Sequence, residues 1–168
     1  QFMLIALPNM DKSFTCTLFL PMTGEVSFDS IDTEEKVIEL FKFHFSDVMD
    51  LMPTLSIDFL SNPTGGLASI YCDPWHYKDK AALIGDSAHA IVPFFGQGMN
   101  ASFQDCTVMN NLVGDFRGHW GDIFSNYSGL HVKNGHAIAD MAIENYIEMR
   151  DHVNDPNYQK RRKLELEL

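Results

Sequence analysis

The sequence predicts a mixed α/β chain of the α+β kind, with strands concentrated in its first half and helices in its second. Three observations carry this. Residues 2–7 and 14–20 are apolar, β-rich runs joined by Pro8-Asn9-Met10-Asp11-Lys12-Ser13, the pattern of an antiparallel hairpin. Asp32-Thr33-Glu34-Glu35, followed by Val37, Leu40 and Phe41, combines a helix start with helical spacing. From Met99 onward apolar residues recur every three or four positions.

At 168 residues, 45% apolar and 21% charged, the chain can bury a core of ordinary domain size. Its formal net charge of -11 argues against a nucleic-acid partner, which needs a basic surface. Cys16, Cys72 and Cys106 are odd in number and far apart, so they form no disulfide framework. No His or Cys spacing suggests zinc, so no metal is expected. No apolar run reaches the ~20 residues of a membrane span. The start, Gln1 to Leu7, lacks both an initiating Met and a basic segment, and the chain is expected to be the middle of a longer one.

Taken in order, Phe14, Cys16, Leu18 and Leu20 alternate with Thr15, Thr17 and Phe19, which predicts a sheet with one face well buried. Asp32 and Glu35 fit a capping box, and His44 falls on the surface or core of the helix they open. Residues 55–60 read as another strand, Asn62 to Gly66 as a turn, and Leu67 to Tyr71 as a strand leaving it. Asp73 to Asp79 is a polar-aromatic connector. Ala81 to Ile84 is a short buried strand ending in Gly85-Asp86. Met99, Phe103, Cys106, Met109 and Val113 give one helical stripe. Gly114 to Gly135 reads mostly as loop, with a short helix near Ile123–Tyr127. A second helix over His136–His152 carries Ile138, Met141, Ala142, Asn145 and Met149 on one face. The last residues, 155–168, are polar and read as a frayed tail, with Leu164 to Leu168 alternating like an edge strand.

The chemistry concentrates in A-A-L-I-G-D-S-A-H-A-I-V-P-F-F-G-Q-G-M-N-A-S-F-Q-D-C, residues 81–106. A carboxylate at a strand end, as at Asp86, can hold a ribose or ribityl hydroxyl by a charge-assisted bond; a capping Asp fits the same position equally well. Gly96-Gln97-Gly98-Met99-Asn100-Ala101 matches G-x-G-x-x-A in letters, but Pro93-Phe94-Phe95 separates it from the strand, so it is not a dinucleotide-binding turn. Its glycines still let a ligand approach the backbone, and the helix that follows favours negative charge at its start. Of Phe94 and Phe95, at least one is expected to line a pocket. Asn145, an amide on an apolar face, either satisfies a neighbouring backbone or faces a ligand cavity. Gly85-Asp86-Ser87 also resembles the opening of the GDSL hydrolases, yet no Asp-x-x-His follows well downstream. Asp86, Ser87 and His89 are too close along the chain to form a relay.

G-D-S-A-H-A-I-V-P-F-F-G-Q-G-M-N-A-S-F-Q-D-C resembles the second FAD-binding block of the aromatic-ring flavoprotein monooxygenases, in the form of the branch that hydroxylates kynurenine. I-A-L-P-N-M-D-K-S-F-T-C-T-L-F-L-P near the start and E-N-Y-I-E-M-R-D-H-V near the end extend the resemblance over residues 1–153. It implies part of a FAD-binding aromatic hydroxylase fold: a substrate-domain sheet portion (1–78), a returning FAD-binding strand, loop and helix (79–115), a helical portion at the substrate pocket (116–154) and a polar tail (155–168). It implies FAD as cofactor, NADPH as reductant, and L-kynurenine and dioxygen as substrates. Asp86, Pro93, Gly96, Gln97, Gly98, Met99 and Asn100 would bind the cofactor. Phe94, Phe95, Asn145, Tyr146 and Met149 would meet the substrate, and no side chain is required as a general base. Ser87 and Gln104 depart from the family's usual Ala and Glu. The family's glycine-rich first FAD block is not among these residues, which implies a partial chain. The alternatives are a fragment without flavin and a related hydroxylase with another substrate. Membrane contact would come only from a C-terminal segment beyond this sequence, with a mitochondrial outer-membrane location in a eukaryote and a cytoplasmic one otherwise.

Overall fold

The computed structural model describes residues 2–152 and 155–166. The chain divides into two compact units, Gln1–Gly66 and Leu67–Leu168.

In the first unit, β1 (Met3–Pro8) and β2 (Phe14–Phe19) pair antiparallel, with Met3 opposite Phe19 and Pro8 opposite Phe14. Asp11 holds the turn by accepting from the Ser13 hydroxyl at 2.6 Å and the Ser13 amide at 3.0 Å. The Ser13 hydroxyl, more than the amide, lowers the Asp11 pKa. The expected buried face exists only at one end. Leu4, Leu18 and Leu20 pack on the core, whereas Phe14 and Cys16 are exposed.

Helix α1 (Glu34–His44) starts one residue later than the sequence predicts. Thr33 is its cap, accepting from the Lys36 amide at 3.4 Å, while Asp32 pairs with the Lys36 ammonium at 2.6 Å. Both residues suit the position, and the extended backbone of Thr33 (φ -131°, ψ 158°) gives it the cap. Val37, Leu40 and Phe41 are buried as expected, and His44 lies exposed on the helix surface. Residues 55–60 are not a strand but most of helix α2 (Leu55–Ser61). Leu55 and Phe59, four apart, reach the core together, and the Thr54 hydroxyl donates to Asp58 at 2.6 Å across the first turn. Ile57 and Leu60 face outward.

In the second unit, residues 67–71 have no strand partner among the described residues. The Ile70 amide donates to the Ala90 carbonyl at 2.8 Å. The connector that follows supplies the centre of the core. Trp75 is fully buried; its indole N–H donates to the Cys72 carbonyl at 2.8 Å and its amide to the Ser128 hydroxyl at 3.0 Å. Strand β3 (His76–Tyr77) pairs antiparallel with β4 (Ala81–Ala82). The expected buried strand over 81–84 thus shortens to two paired residues, and Leu83 and Ile84 are exposed. A one-turn helix, α3 (Asp86–His89), follows at once. A 3-10 turn, Pro93–Phe95, then leads to α4 (Gly98–Asp115).

The predicted α4 stripe holds in the second half of the helix, where Met109 and Val113 pack against the core, and fails in the first. Met99 and Phe103 are 69% and 64% exposed, and Cys106 is exposed. Ala101, Asp105, Val108 and Leu112 face inward instead, at spacings of four, three and four. Small and charged residues occupy that inner face near the helix start, so the apolar residues point the wrong way there.

The largest correction is α5 (Trp120–Ile147), a single helix of 28 residues where a loop and a later, shorter helix were expected. Its buried face is Ile123, Tyr127, Ser128, His131, Val132, Gly135, Ala139 and Ala142. The repeat is helical throughout but built largely from small or polar residues, so hydrophobicity alone does not reveal it. Met141, assigned to the inner stripe, is exposed. A π-type turn (Glu148–His152) follows, and then α6 (Pro156–Leu166), a helix where a frayed tail and edge strand were expected. Arg161 and Arg162 both approach Glu165, respectively four and three residues on, and the Tyr158 hydroxyl donates to Glu148. Residues 167–168 of the expected edge strand lie outside the described residues.

Candidate functional site

Within the second unit, α3, the 3-10 turn and the start of α4 surround an open cleft of about 480 Å³ lined by Asp86, Ile91, Pro93, Gly96, Gly98, Met99 and Ser102. Each wall has a local cause. Gly85 adopts φ 61°, ψ -143°, and a Cβ there would lie 3.2 Å from the Ser102 hydroxyl. Glycine therefore permits both the sharp turn and the close approach of α4. Asp86 follows as the first residue of α3 and is exposed. Its carboxylate has no hydrogen-bond partner among the described residues.

Gly96 is left-handed (φ 68°, ψ 17°) and closes the 3-10 turn, its amide donating to the Pro93 carbonyl at 3.0 Å. Nothing lies within 4 Å of the place a Cβ would occupy, so the cleft has a bare backbone wall there. The first amides of α4 have no carbonyl a turn earlier in the helix to bond, and the positive end of its dipole lies at Gly98. A carboxylate on one side and a glycine turn with a helix start on the other form a cradle for a polyhydroxylated ligand carrying negative charge. The residues present fit such a group.

The residues named from sequence separate into three sets, with Phe95 outside all of them. Asp86, Pro93, Gly96, Gly98 and Met99 line the cleft together. Gln97 and Asn100 instead line a second, smaller cavity of about 160 Å³, with the Asn100 side-chain amide donating to the Gln97 side-chain carbonyl at 2.8 Å. Phe94, Asn145, Tyr146 and Met149 form the third set. Asn145 donates through Nδ2 to the Phe94 carbonyl at 2.5 Å and lies 3.6 Å from the Met149 sulfur. Tyr146 stacks on Phe94, ring centres 4.4 Å apart at 28°, and the Arg150 guanidinium lies 4.9 Å above the Tyr146 ring. Phe95 is 37% exposed.

Sequence reasoning missed a buried polar cluster, His89, Asp105 and His131, which lines the second, smaller cavity. Asp105 and His89 are each 2% exposed, and His89 Nε2 lies 2.6 Å from Asp105 Oδ2. A carboxylate only accepts, so this ring nitrogen carries the hydrogen. The same oxygen accepts from the Gly85 amide at 2.9 Å, and His131 Nδ1 is 3.4 Å from Oδ1. His89 Nδ1 is buried with no partner among the described residues. Burial, and next the Asp105 charge, push the Tyr127 hydroxyl far above the ordinary phenol range. One signal could have found this cluster: Asp105 is the charged member of the 101, 105, 108, 112 spacing that defines the inner face of α4.

Residues 45–119 match the FAD binding domain family. Nearly the whole chain is similar to proteins named kynurenine 3-monooxygenase. That of Dictyostelium discoideum is 47% identical, aligned with 98% of this chain and 38% of its own length. That of Myxococcus xanthus is 49% identical over 98% of this chain and 35% of its own length. That of Christiangramia forsetii is 46% identical over 98% and 37%. The chain therefore spans somewhat over a third of the length of these relatives.

Proposed function

We propose, for a chain that belongs to the kynurenine 3-monooxygenase family of FAD-dependent aromatic-ring monooxygenases, that the full-length protein hydroxylates L-kynurenine at the 3-position, with NADPH as reductant and dioxygen as co-substrate. The observation that supports this most is the cleft itself, where Asp86 faces Gly96, Gly98 and Met99. Residues 79–115 are assigned as the returning FAD-binding segment, residues 116–154 as a contributor to the substrate pocket, and residues 1–78 as a portion of the substrate-domain sheet.

In this assignment Asp86 accepts a hydrogen bond from a ribityl hydroxyl of FAD. The backbone from Gly96 to Asn100, Gln97 included, meets the pyrophosphate and the pyrimidine edge, where the α4 dipole favours negative charge. Pro93 packs beside it. Bound FAD, once reduced by NADPH, supplies the activation of dioxygen. The chain's own residues bind, orient and exclude water. Phe94 and Phe95 form the wall toward the substrate ring, and the Tyr146 stack fixes Phe94. Asn145 has two amide hydrogens. One is committed to the Phe94 carbonyl and the other meets only a thioether sulfur, a weak acceptor that the carboxylate of an amino-acid substrate displaces. Met149 fills the adjacent space.

Asn145→Ala in the full-length protein is expected to raise KM for kynurenine about 10-fold or more, the loss of a hydrogen bond to a charged group, with FAD content unchanged. Steady-state kinetics beside flavin absorbance checks both. The reaction assignment is tested by NADPH oxidation. Stimulation by L-kynurenine and not by simple phenols supports it, stimulation by a phenol instead points to a related hydroxylase, and absence of bound flavin points to a non-catalytic protein. Among the described residues no helix is long and apolar enough to cross a membrane. By the family resemblance, and not by that observation, we assign any membrane contact to a C-terminal segment of the full-length protein, at the mitochondrial outer membrane in a eukaryote, and otherwise a cytoplasmic location.

A further inference from the structure

We infer that Asp105 is a positioning residue for the flavin cleft: it fixes where the Asp86 carboxylate stands relative to the α4 start, and so sets FAD affinity without touching FAD. This rests on the assignment of the cleft as a flavin site.

The geometry is specific. Asp105 Oδ2 accepts from the Gly85 amide at 2.9 Å and meets His89 Nε2 at 2.6 Å. Gly85 caps α3 and His89 ends it. One carboxylate oxygen therefore holds both ends of the four-residue helix whose first member is Asp86. Asp86 has no side-chain partner of its own among the described residues, so backbone placement alone directs it.

The opposite wall is fixed by the same residue. Asp105 lies two helical turns beyond Gly98 on α4, a rigid spacing of about 10 Å at 1.5 Å per residue. The two walls of the cleft are thus referred to one buried group. His131, 3.4 Å from Oδ1, ties that group to α5 as well.

A buried carboxylate is costly to desolvate, and an apolar residue of similar volume often serves stability as well or better. Retaining Asp105 at 2% exposure, with His89 Nδ1 left unpartnered beside it, is accounted for by placement of the turn. Gly85, with a positive φ that few other residues tolerate, has no helical partner for its amide and takes Asp105 instead.

A double-mutant cycle on the full-length protein, with FAD added back to apoprotein and Kd read by flavin fluorescence, tests this. Asp105→Asn alone is expected to raise the FAD Kd at least 10-fold. In an Asp86→Ala background the same change is expected to raise it less than twofold, because its route to the ligand is already gone. Val132→Ala, a truncation in the core cluster at a residue that does not line the cleft, is expected to lower thermal stability while leaving Kd within twofold. Equal effects of Asp105→Asn in both backgrounds, or a Val132→Ala loss as large as that of Asp105→Asn, would overturn the inference and leave a purely structural role. If Asp105→Asn does not fold, Gly85→Ala carries the same cycle, since it disturbs the turn while leaving the Asp105–His89 contact. Wild-type protein that binds no FAD sinks the flavin assignment itself, an outcome distinct from all of these.

Discussion

Asp86→Ala in the full-length protein weakens FAD binding by about 10- to 150-fold, the equivalent of about 1.5–3 kcal/mol for one charge-assisted hydrogen bond. Asp86→Asn, which keeps an acceptor and loses the charge, falls between. The fold changes little, because the Asp86 side chain is exposed and makes no hydrogen bond within the described residues; exposed sites of this kind shift stability by about 0.5 kcal/mol or less. Fluorescence titration of apoprotein with FAD at fixed ionic strength reads the first effect and a thermal melt of the apoprotein reads the second. An unchanged Kd would remove Asp86 from the site. A lowered melting temperature with an unchanged Kd would make it a helix-capping residue, the alternative that the sequence leaves open.

Trp75→Ala has the largest expected effect on stability, about 3–5 kcal/mol by the usual cost of emptying a large aromatic site. Trp75 is fully buried, its ring centre 4.8 Å from that of His89 and 5.6 Å from that of Tyr127. Both of its N–H groups are hydrogen-bonded, so it cannot move to relieve a clash. Gly135 faces it from α5. A Cβ there would stand 2.7 Å from two ring carbons of Trp75 and 3.2 Å from His89 Cβ. Helix propensity favours Ala over Gly by about 1 kcal/mol, whereas overpacking costs about 1–3 kcal/mol. The fixed indole lets the clash prevail, and Gly135→Ala destabilises. In a Trp75→Phe background, with the six-membered indole ring gone, the same substitution becomes neutral or stabilising. Urea denaturation midpoints of the four proteins check the sign reversal. Additivity across the cycle would contradict this packing account.

Trp75 and Gly135 also show where the sequence is opaque. Trp75 stands in a run of Asp, Pro, His, Tyr and Lys that reads as a connector, because most of its buried apolar partners lie elsewhere in the chain: Ala88, Leu112, and Ile123, Tyr127 and Val132 of α5. The α5 face that meets it also carries Ser128 and Gly135, and His131 is buried on the same helix, residues that break a hydrophobic pattern while keeping a helical one. The 28-residue helix is invisible for the same reason. By contrast, α1 and the β1–β2 hairpin were legible, since an apolar stripe and a cap or turn agree there. Residues 55–60 were not: Leu55, Ile57 and Phe59 alternate like a strand while Leu55 and Phe59 also satisfy a helix.

At the site, the sequence reaches the exposed groups and misses the buried support. Asp86, Gly96 and Gly98 announce themselves by residue type. Asp105 does not, because a carboxylate in a helix resembles any solvated one until its neighbours in space are known. Asn145 shows both readings in one residue. It satisfies a backbone carbonyl, that of Phe94, and the same bond places its second amide hydrogen at the proposed substrate wall.

Amide hydrogen exchange of the full-length protein, with and without FAD, addresses the central claim most directly. FAD seated in this cleft protects the amides of residues 85–87 and 96–100 and leaves the hairpin of residues 3–19 unchanged. FAD that binds and protects other segments, while exchange at 85–87 and 96–100 stays the same, would contradict the assignment of this cleft as part of the flavin site.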